Sequence, residues 1–296
     1  MAFTTPERPL PARWRAAALA LLLTALAPLP AAATWSVVAV DQATGRVAIA
    51  SATCLDRDDQ FLPRLQAVVV PGKGVAAAQA AVDLTYRNQK LVQAELQKGT
   101  DPARIIGLLG RDLLFASRQF GIVDLQGRSA GHTGRHNHAV AQNAQGQVPG
   151  TGIHYAIQGN ILRSGEVVPR AVEAFLGTTG ALTDRVMAAL EAADAAGGDS
   201  RCACPPPRPE APAPAIPCDG KTSHVAYILM AEPDAAAAAA ATSAHHGGPH
   251  ALYLTVSQPG LTQGAGQVRE GENLNPVRTL RMRYDAWRRG QAAEYR

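Results

Sequence analysis

Thr34 stands where removal of a signal peptide would make it the first residue of the mature chain. Residues 31–33 are all alanine, an apolar run occupies residues 16–29, and three arginines lie within the first 15 residues. This order of basic, apolar and small residues is typical of a secretory signal peptide, here residues 1–33. A cut after residue 33 would join a hydroxyl nucleophile and an amine base in Thr34 alone, which is one known way to activate a weak nucleophile.

The chemistry of such a residue is acyl transfer. The pKa of a chain-terminal amine is about 7.7–8.0, so much of the amine is a competent base near neutral pH. The hydroxyl of Thr34 could add to an amide carbonyl and form an acyl-enzyme that water later hydrolyses. The alternative is structural, because threonine favours strands and many residue types follow a signal peptide.

Amide and hydroxyl side chains near strand ends are candidates for substrate contact. Gln158 and Asn160 flank Gly159 at the end of an apolar run, where their amides could donate to a developing oxyanion. The alternative is a turn in which asparagine tolerates an unusual backbone angle. Ser51 closes the second apolar run and could line the same pocket.

The segment Gly197-Gly198-Asp199-Ser200-Arg201 follows a helical pattern. Asp199 could hold the α-ammonium of Thr34 or a substrate amine, and the planar fork of Arg201 could bind a carboxylate. The alternative is a helix stop followed by a surface ion pair.

Four cysteines, an even number, all lie after the signal segment: Cys54, Cys202, Cys204 and Cys218. In an oxidising compartment this favours two disulfides. Cys202 and Cys204 are too close in sequence to pair comfortably, so we expect one to pair with Cys218 and the other with Cys54. The alternative is a zinc site using Cys202, Cys204, Cys218 and His224, although only one short-spaced cysteine pair is present.

A histidine cluster, His132, His136 and His138, has metal-like spacing but no acidic residue nearby to complete it. His245 and His246 lie in low-complexity sequence. We therefore expect no metal and no cofactor, and interpret these histidines as hydrogen-bonded surface groups.

Charge and composition exclude several classes of function. Loss of residues 1–33 lowers the formal charge from +4 to 25 − 23 = +2, and aromatic residues make up 5% of the chain, so nucleic-acid binding is disfavoured. The apolar runs are too short to span a bilayer, so we expect no membrane contact after cleavage. Five arginines between residues 278 and 289 are interpreted as a solvated helix face. Nothing in the sequence indicates an oligomeric state.

Periodicity predicts an α+β domain over residues 34–290, with a Cys/Pro-rich insertion at about 202–220, an Ala/His/Gly-rich insertion at about 235–250 and a tail at 291–296. The predicted strands are Thr34–Asp41, Arg46–Ala52, Gln66–Val70, Val75–Ala80, Gln119–Asp124, Arg128–His132, Tyr155–Asn160, Ser223–Met230 and Leu252–Ser257. Helices are predicted after Asp83, with Leu84 facing inward, after Asp101, with Leu113 facing inward, and over Val167–Leu176, Leu182–Ala195 and Pro276–Arg289. Adjacent strands joined by short turns favour mostly antiparallel sheets.

Several fragments, in order, resemble a bacterial family, domain of unknown function 1028. They are TWSVVAVDQATGRVAIASA, GVAAAQA, QFGIVDLQGRSAGHTG, YAIQGNIL and MAALEAADAAGGDSR, and the resemblance extends over about residues 34–290. It departs from the commoner pattern at the insertion after Arg201. Because members of that family are placed with N-terminal-nucleophile (Ntn) hydrolase-like proteins, the resemblance implies a four-layer αββα sandwich.

Together these observations predict a periplasmic or secreted hydrolase of an amide or peptide-like bond, with Thr34 as nucleophile and a small amide or a cell-wall peptide as its substrate. Two alternatives stay open: a non-catalytic domain of the same fold that binds a wall fragment or a protein, and an extracytoplasmic metal-binding protein.

Overall fold

The described chain begins with a β-hairpin made of β1 (Thr34–Asp41) and β2 (Arg46–Thr53). Thr34 pairs with Thr53 and Asp41 with Arg46, so the register is continuous over all eight residues of each strand. The carboxylate of Asp41 accepts hydrogen bonds from the Ala43 amide and the Thr44 hydroxyl, which stabilises the turn. The structure is a computed structural model that describes residues 34–55, 60–137, 140–202, 220–235, 250–258 and 266–291.

The hairpin forms the centre of a six-stranded sheet whose strand order is β10-β9-β2-β1-β8-β7. Every pairing between these strands is antiparallel. The four further strands are β7 (Gln142–Gln147), β8 (Ile153–Asn160), β9 (Val225–Ala231) and β10 (Leu252–Ser257). Nearly all side chains of β1 and β2, the two central strands, are buried.

A second, four-stranded sheet has the order β3-β4-β5-β6 and is also antiparallel throughout. Its strands are β3 (Ala67–Val70), β4 (Gly74–Ala80), β5 (Arg118–Asp124) and β6 (Ser129–Thr133).

Six α-helices lie in the described residues: α1 (Phe61–Gln66), α2 (Arg87–Lys98), α3 (Pro102–Leu109), α4 (Val167–Gly177), α5 (Leu182–Ala195) and α6 (Pro276–Arg288). Asp101 and Asn275 each cap the following helix by accepting an amide hydrogen bond, and each is followed by proline at the first helical position. Among the described residues, no helix has the length and apolar character needed to cross a membrane.

Three hydrophobic clusters show how these elements stack. Residues of α4, α5 and α6 pack on one face of the six-stranded sheet, around Trp35 and Val37. Residues of α2 and α3 pack on the outer face of the four-stranded sheet. The third cluster, which includes Val38, Val40 and Val75, lies between the two sheets. Alternation along β1 therefore directs its even-numbered residues, including Thr34 and Ser36, into the space between the sheets.

The predicted α+β class with two antiparallel sheets is confirmed, and most strands lie within one or two residues of their expected bounds. Strand β7 was not predicted, because Gln142–Gln147 contains little apolar sequence and its inward-facing side chains are polar. Gln66 ends helix α1 and does not begin β3.

Three predicted side-chain positions are wrong. Leu113 is 99% exposed because α3 ends at Leu109, and Leu84 is 65% exposed because α2 begins only at Arg87. The prediction that the arginines of the last helix form a solvated face is also wrong for Arg283, which is 1% exposed. Its guanidinium binds the Glu272 carboxylate through Nε and Nη2 and donates through Nη1 to the carbonyl of Thr255.

Several predicted features lie outside the described residues. They are the signal peptide, most of both insertions, Cys204, Cys218, His138, His245 and His246.

Candidate functional site

Thr34 lies at the start of β1 and is fully buried. It pairs with Thr53 on β2 and with Asn160 on β8, so three polar side chains lie side by side at one end of the sheet. The Thr34 hydroxyl donates to the Thr53 hydroxyl at 3.3 Å. The candidate nucleophile is thus placed by both neighbouring strands.

Gln79, on β4 of the opposite sheet, contacts the backbone of Thr34. Its Nε2 donates to the Thr34 carbonyl at 3.1 Å and to Oε1 of Gln119 at 2.8 Å. Its Oε1 accepts from the Ser36 hydroxyl and from Nε2 of Gln66, both at 2.7 Å. All four hydrogen-bonding positions of this buried amide are used, which fixes its orientation.

A chain of hydrogen-bonded side chains that includes Gln79 extends across the space between the sheets. The Tyr227 hydroxyl donates to Gln66 at 2.8 Å, and Gln119 donates to the Gly159 carbonyl at 2.9 Å. The chain Tyr227–Gln66–Gln79–Gln119, which we call the amide chain, joins β9, α1, β4 and β5. A buried polar network whose members are satisfied in this way is rigid and holds Thr34 in one position.

A small cavity lies against Thr34, with a volume of about 20 Å³, room for about one water molecule. Apolar residues of α1 and Phe120 form part of its wall, and the polar groups on it include Asp83, Gln89 and Arg118. Gln89 is 4% exposed, and its Oε1 has no hydrogen-bond partner among the described residues.

The charged groups beside the cavity are partly neutralised by one another. Arg118 pairs with Asp112 at 2.9 Å and also donates to the carbonyl of Ala81. Burial alone would raise the pKa of Asp83, but hydrogen bonds from Asn88 and Thr85 and the charge of Arg118 outweigh it and lower that pKa. Asp83 is therefore ionised near neutral pH.

Gln158 and Asn160 both lie on the inner face of β8 and are fully buried. Asn160 is directly across from Thr34, as an oxyanion donor would need to be, whereas Gln158 is across from Ser36, one step further along the sheet. Both amide atoms of Gln158 have no hydrogen-bond partner among the described residues. The side chain packs over the bare backbone of Gly121, where an added Cβ would lie 1.9 Å from its Oε1.

Ser51 is also buried, but it is not one of the residues that line the cavity. Its hydroxyl donates to the Trp35 carbonyl at 2.7 Å. Ser51 therefore stabilises the backbone of the hairpin through this hydrogen bond.

Asp199 is fully buried, and the hydrogen bonds of its carboxylate go to residues other than Thr34. It accepts from the Cys54 amide at 2.9 Å and from the side chain of Arg201 at 2.7 and 3.1 Å. Gly197 and Gly198, both with positive φ, turn the chain after α5 so that this is possible. Asp199 thus anchors the end of β2, and Arg201 neutralises that carboxylate.

Cys54 and Cys202 form a disulfide, with Cα atoms 5.9 Å apart. This is one of the pairs that the sequence allowed. His224 lies beside it, and one ring nitrogen of His224 and the two sulfur atoms all lie within 4.8 Å of one another. Within the described ranges this is the one group of three potential metal ligands.

His132 and His136, on β6 and in the turn that follows it, bind neighbouring groups of the protein. The His132 ring stacks on Phe115 with centroids 3.7 Å apart and hydrogen-bonds the Phe115 carbonyl at 3.0 Å. His136 hydrogen-bonds the neighbouring Arg135.

Sequence reasoning did not identify Thr53, which bonds Thr34 from the neighbouring strand, or the amides of Gln66, Gln79 and Gln119, of which Gln79 contacts Thr34 from the opposite sheet. One signal could have found two of them. Gln79 interrupts the alanine run of GVAAAQA and Gln119 opens an apolar strand, and both occupy inward positions by alternation.

Comparison with known proteins agrees with this architecture. The sequence model of a family described as "Family of unknown function (DUF1028)" matches residues 34–204, so the chain belongs to that family. The crystal structure of protein SPO2555 from Silicibacter pomeroyi, whose title gives the same family, is similar to this one with a TM-score of 0.59. The two are 21% identical, and the match covers 89% of this chain and 93% of that one, so it bears on the fold alone. No curated protein matches the chain.

Proposed function

We propose that this protein is a periplasmic or secreted amide hydrolase of the N-terminal-nucleophile type, with Thr34 exposed as the first residue by removal of residues 1–33. The observation that carries the proposal is the position of Thr34. The family match begins at this residue, and the same residue begins the central strand, between Thr53 and Asn160, beside a cavity.

The proposed reaction uses the two ends of one residue. The free amine of Thr34 accepts the proton of its own hydroxyl, directly or through one water, as Oγ1 adds to the substrate carbonyl. The ammonium then gives that proton to the leaving amine when the C–N bond breaks, which leaves an acyl ester on Thr34. Water, deprotonated by the same amine, hydrolyses the ester and releases the acid.

The groups around Thr34 have roles that suit this reaction. Asn160, across from Thr34 on β8, is the proposed donor to the oxyanion. Gln79 is a positioning residue, since it holds the Thr34 carbonyl from the opposite sheet. A rigid, water-poor setting of this kind strengthens electrostatic stabilisation of the developing charge. The stacking of helix, sheet, sheet and helix is compatible with an Ntn-hydrolase-like sandwich.

A second candidate is a domain of the same fold that binds a cell-wall fragment or a protein without catalysis. The complete burial of Thr34 and the small volume of the cavity beside it favour this alternative.

The deciding experiment compares chains that differ only at the amino terminus. Protein exported with its own leader is sequenced from its first residue and screened against a library of small amides and wall peptides. Its matched control carries one extra glycine before Thr34, which keeps the hydroxyl but replaces the amine with an amide. Thr34→Ala and Thr34→Ser complete the set.

A hydrolase requires a mature start at Thr34, loss of turnover by about 10³-fold or more in Thr34→Ala and in the glycine-extended chain, and partial retention in Thr34→Ser. Equal turnover in the extended chain would disprove the amine's role. Ligand binding without turnover, unchanged in Thr34→Ala, would support the second candidate.

A further inference from the structure

Three potential metal ligands converge at the end of the central hairpin, and none of them belongs to the amide chain. Cys54 follows β2, His224 precedes β9, and Cys202 lies in the turn after Asp199. The two sulfur atoms and one ring nitrogen of His224 lie within 4.8 Å of one another. Tetrahedral zinc places its ligand atoms about 3.5–3.8 Å apart, because Zn–S and Zn–N bonds are about 2.3 and 2.0 Å long.

The backbone that carries these ligands is held independently of the sulfur atoms. The His224 amide donates to the Thr53 carbonyl at 2.7 Å, and the Cys54 amide donates to Asp199 at 2.9 Å. The Cys202 amide donates to the Asp199 carbonyl at 3.2 Å. Opening the disulfide would therefore leave the three side chains near one another.

We propose that reduction of the Cys54–Cys202 disulfide creates a binding site for Zn²⁺ or a similarly soft divalent cation, with Cys54, Cys202 and His224 as ligands. Thiolate and imidazole ligands select such cations over Mg²⁺ or Ca²⁺, which prefer oxygen. Two thiolates balance the charge of the cation, and Arg201 already balances the nearby Asp199 at 2.7 Å. The fourth position is open to water.

Reduction of the Cys54–Cys202 disulfide uses a dithiol as co-reactant. A small dithiol gives two electrons and two protons to the protein disulfide and is itself oxidised to a cyclic disulfide. The cation then displaces the two thiol protons and binds the thiolates. The disulfide and the metal site are thus two states of the same sulfur atoms, and neither depends on turnover at Thr34.

The test uses Co²⁺ as a spectroscopic probe, followed by Zn²⁺ competition. The full mature chain is reduced, freed of reductant without air, and titrated while thiolate-to-cobalt charge transfer is recorded. We expect one cation per reduced chain and none in the oxidised chain. His224→Ala and Cys54→Ser should each weaken binding by more than about 100-fold, beyond the loss that removal of an outer-shell partner produces.

The matched control is the double variant Cys204→Ser/Cys218→Ser, which should bind as the wild type does. Uptake that survives in Cys54→Ser but disappears in this control would overturn the proposal in favour of a different ligand set. Absence of uptake by the reduced wild type, or unchanged affinity in His224→Ala, would also overturn it. Circular dichroism checks the fold of each variant, and if Cys54→Ser does not fold, His224→Ala decides.

Discussion

Gly121, in the middle of β5, is a position where a single added methyl group should destabilise the fold. A Cβ at this residue would lie 1.9 Å from Oε1, 2.7 Å from Cδ and 2.9 Å from Nε2 of Gln158. Distances this short mean that alanine cannot be accommodated unless the Gln158 amide moves. The amide is fully buried between the two sheets, so it has no route to solvent.

The expected loss follows from this geometry. Overpacking a close-packed core destabilises by about 1–3 kcal/mol, and a contact with a whole buried amide belongs at the upper end of that range. We expect Gly121→Ala to lower the free energy of unfolding by about 2–3 kcal/mol. In a domain of this size the melting temperature should fall by about 4–10 °C.

Two further variants isolate the cause. Gly107 lies inside helix α3 and has nothing within 4 Å of its added Cβ, so Gly107→Ala should stabilise by about 0.5–1 kcal/mol. Gly121→Ala combined with Gln158→Ala removes the obstructing amide, so the double variant should recover at least half of the loss. Urea unfolding followed by circular dichroism measures the wild type, Gly107→Ala, Gly121→Ala, Gln158→Ala and the double variant.

The reasoning is refuted if Gly121→Ala unfolds within about 0.5 kcal/mol of the wild type, or if Gln158→Ala and Gly121→Ala have additive effects. Additivity would mean that the clash is absorbed by the backbone of the sheets and not by Gln158.

Three other predictions concern buried polar groups. Gln79→Leu leaves four buried partners without their hydrogen bonds, so unfolding free energy should fall by at least about 3 kcal/mol, measured in urea; a loss below about 1 kcal/mol would contradict the amide chain. Arg283→Lys cannot reproduce the fork to Glu272, and we expect a loss of about 3–5 kcal/mol. Arg281→Lys, at a partly exposed position of α6, should lose less than about 1 kcal/mol. Burial lowers the pKa of His250 to about 4. Between pH 6.5 and 4 the unfolded chain binds a proton at this residue that the folded chain does not bind. The free energy of unfolding should therefore decrease by about 1–2 kcal/mol as the pH is lowered through this range, after allowance for partial exposure of the side chain. His250→Asn should flatten that part of the pH–stability curve, and an unchanged slope would assign it to other groups.

Elements with a clear apolar period could be predicted from the sequence, and those whose stability comes from partners could not. The hairpin, α5 and β10 have strong local patterns, and their observed bounds match the expected ones to within a residue. Strand β7 is polar on the face that it buries, and its pairing with β8 supplies what its own sequence lacks. The limits of α2 and α3 depend on a left-handed residue, Tyr86, and on a chain reversal after Leu109, neither of which has a strong sequence signal.

The residues of the candidate site likewise differ in how much local sequence signal they carry. Thr34 could be singled out because its chemistry and its position after an alanine cluster are both local. Gln79 and Gln119 carry only the weak local signal of a polar residue at an inward strand position, because the carbonyls that they bind, those of Thr34 and Gly159, lie on the other sheet and 40 or more residues away in sequence. Asp199 was singled out as a contact for the α-ammonium of Thr34 or a substrate amine, and in the structure its carboxylate binds the Cys54 amide and Arg201.

The amide chain also affects how the rate of a reaction at Thr34 would depend on pH. Its members are neutral amides and hydroxyls, and the pKa of Tyr227, its single phenol, is raised well above 10 by burial. The amide chain that holds Thr34 therefore keeps the same charge across the whole physiological range of pH. If Thr34 is the amino-terminal nucleophile proposed above, a change of rate near neutral pH would therefore come from a group outside the amide chain, such as the amine of Thr34.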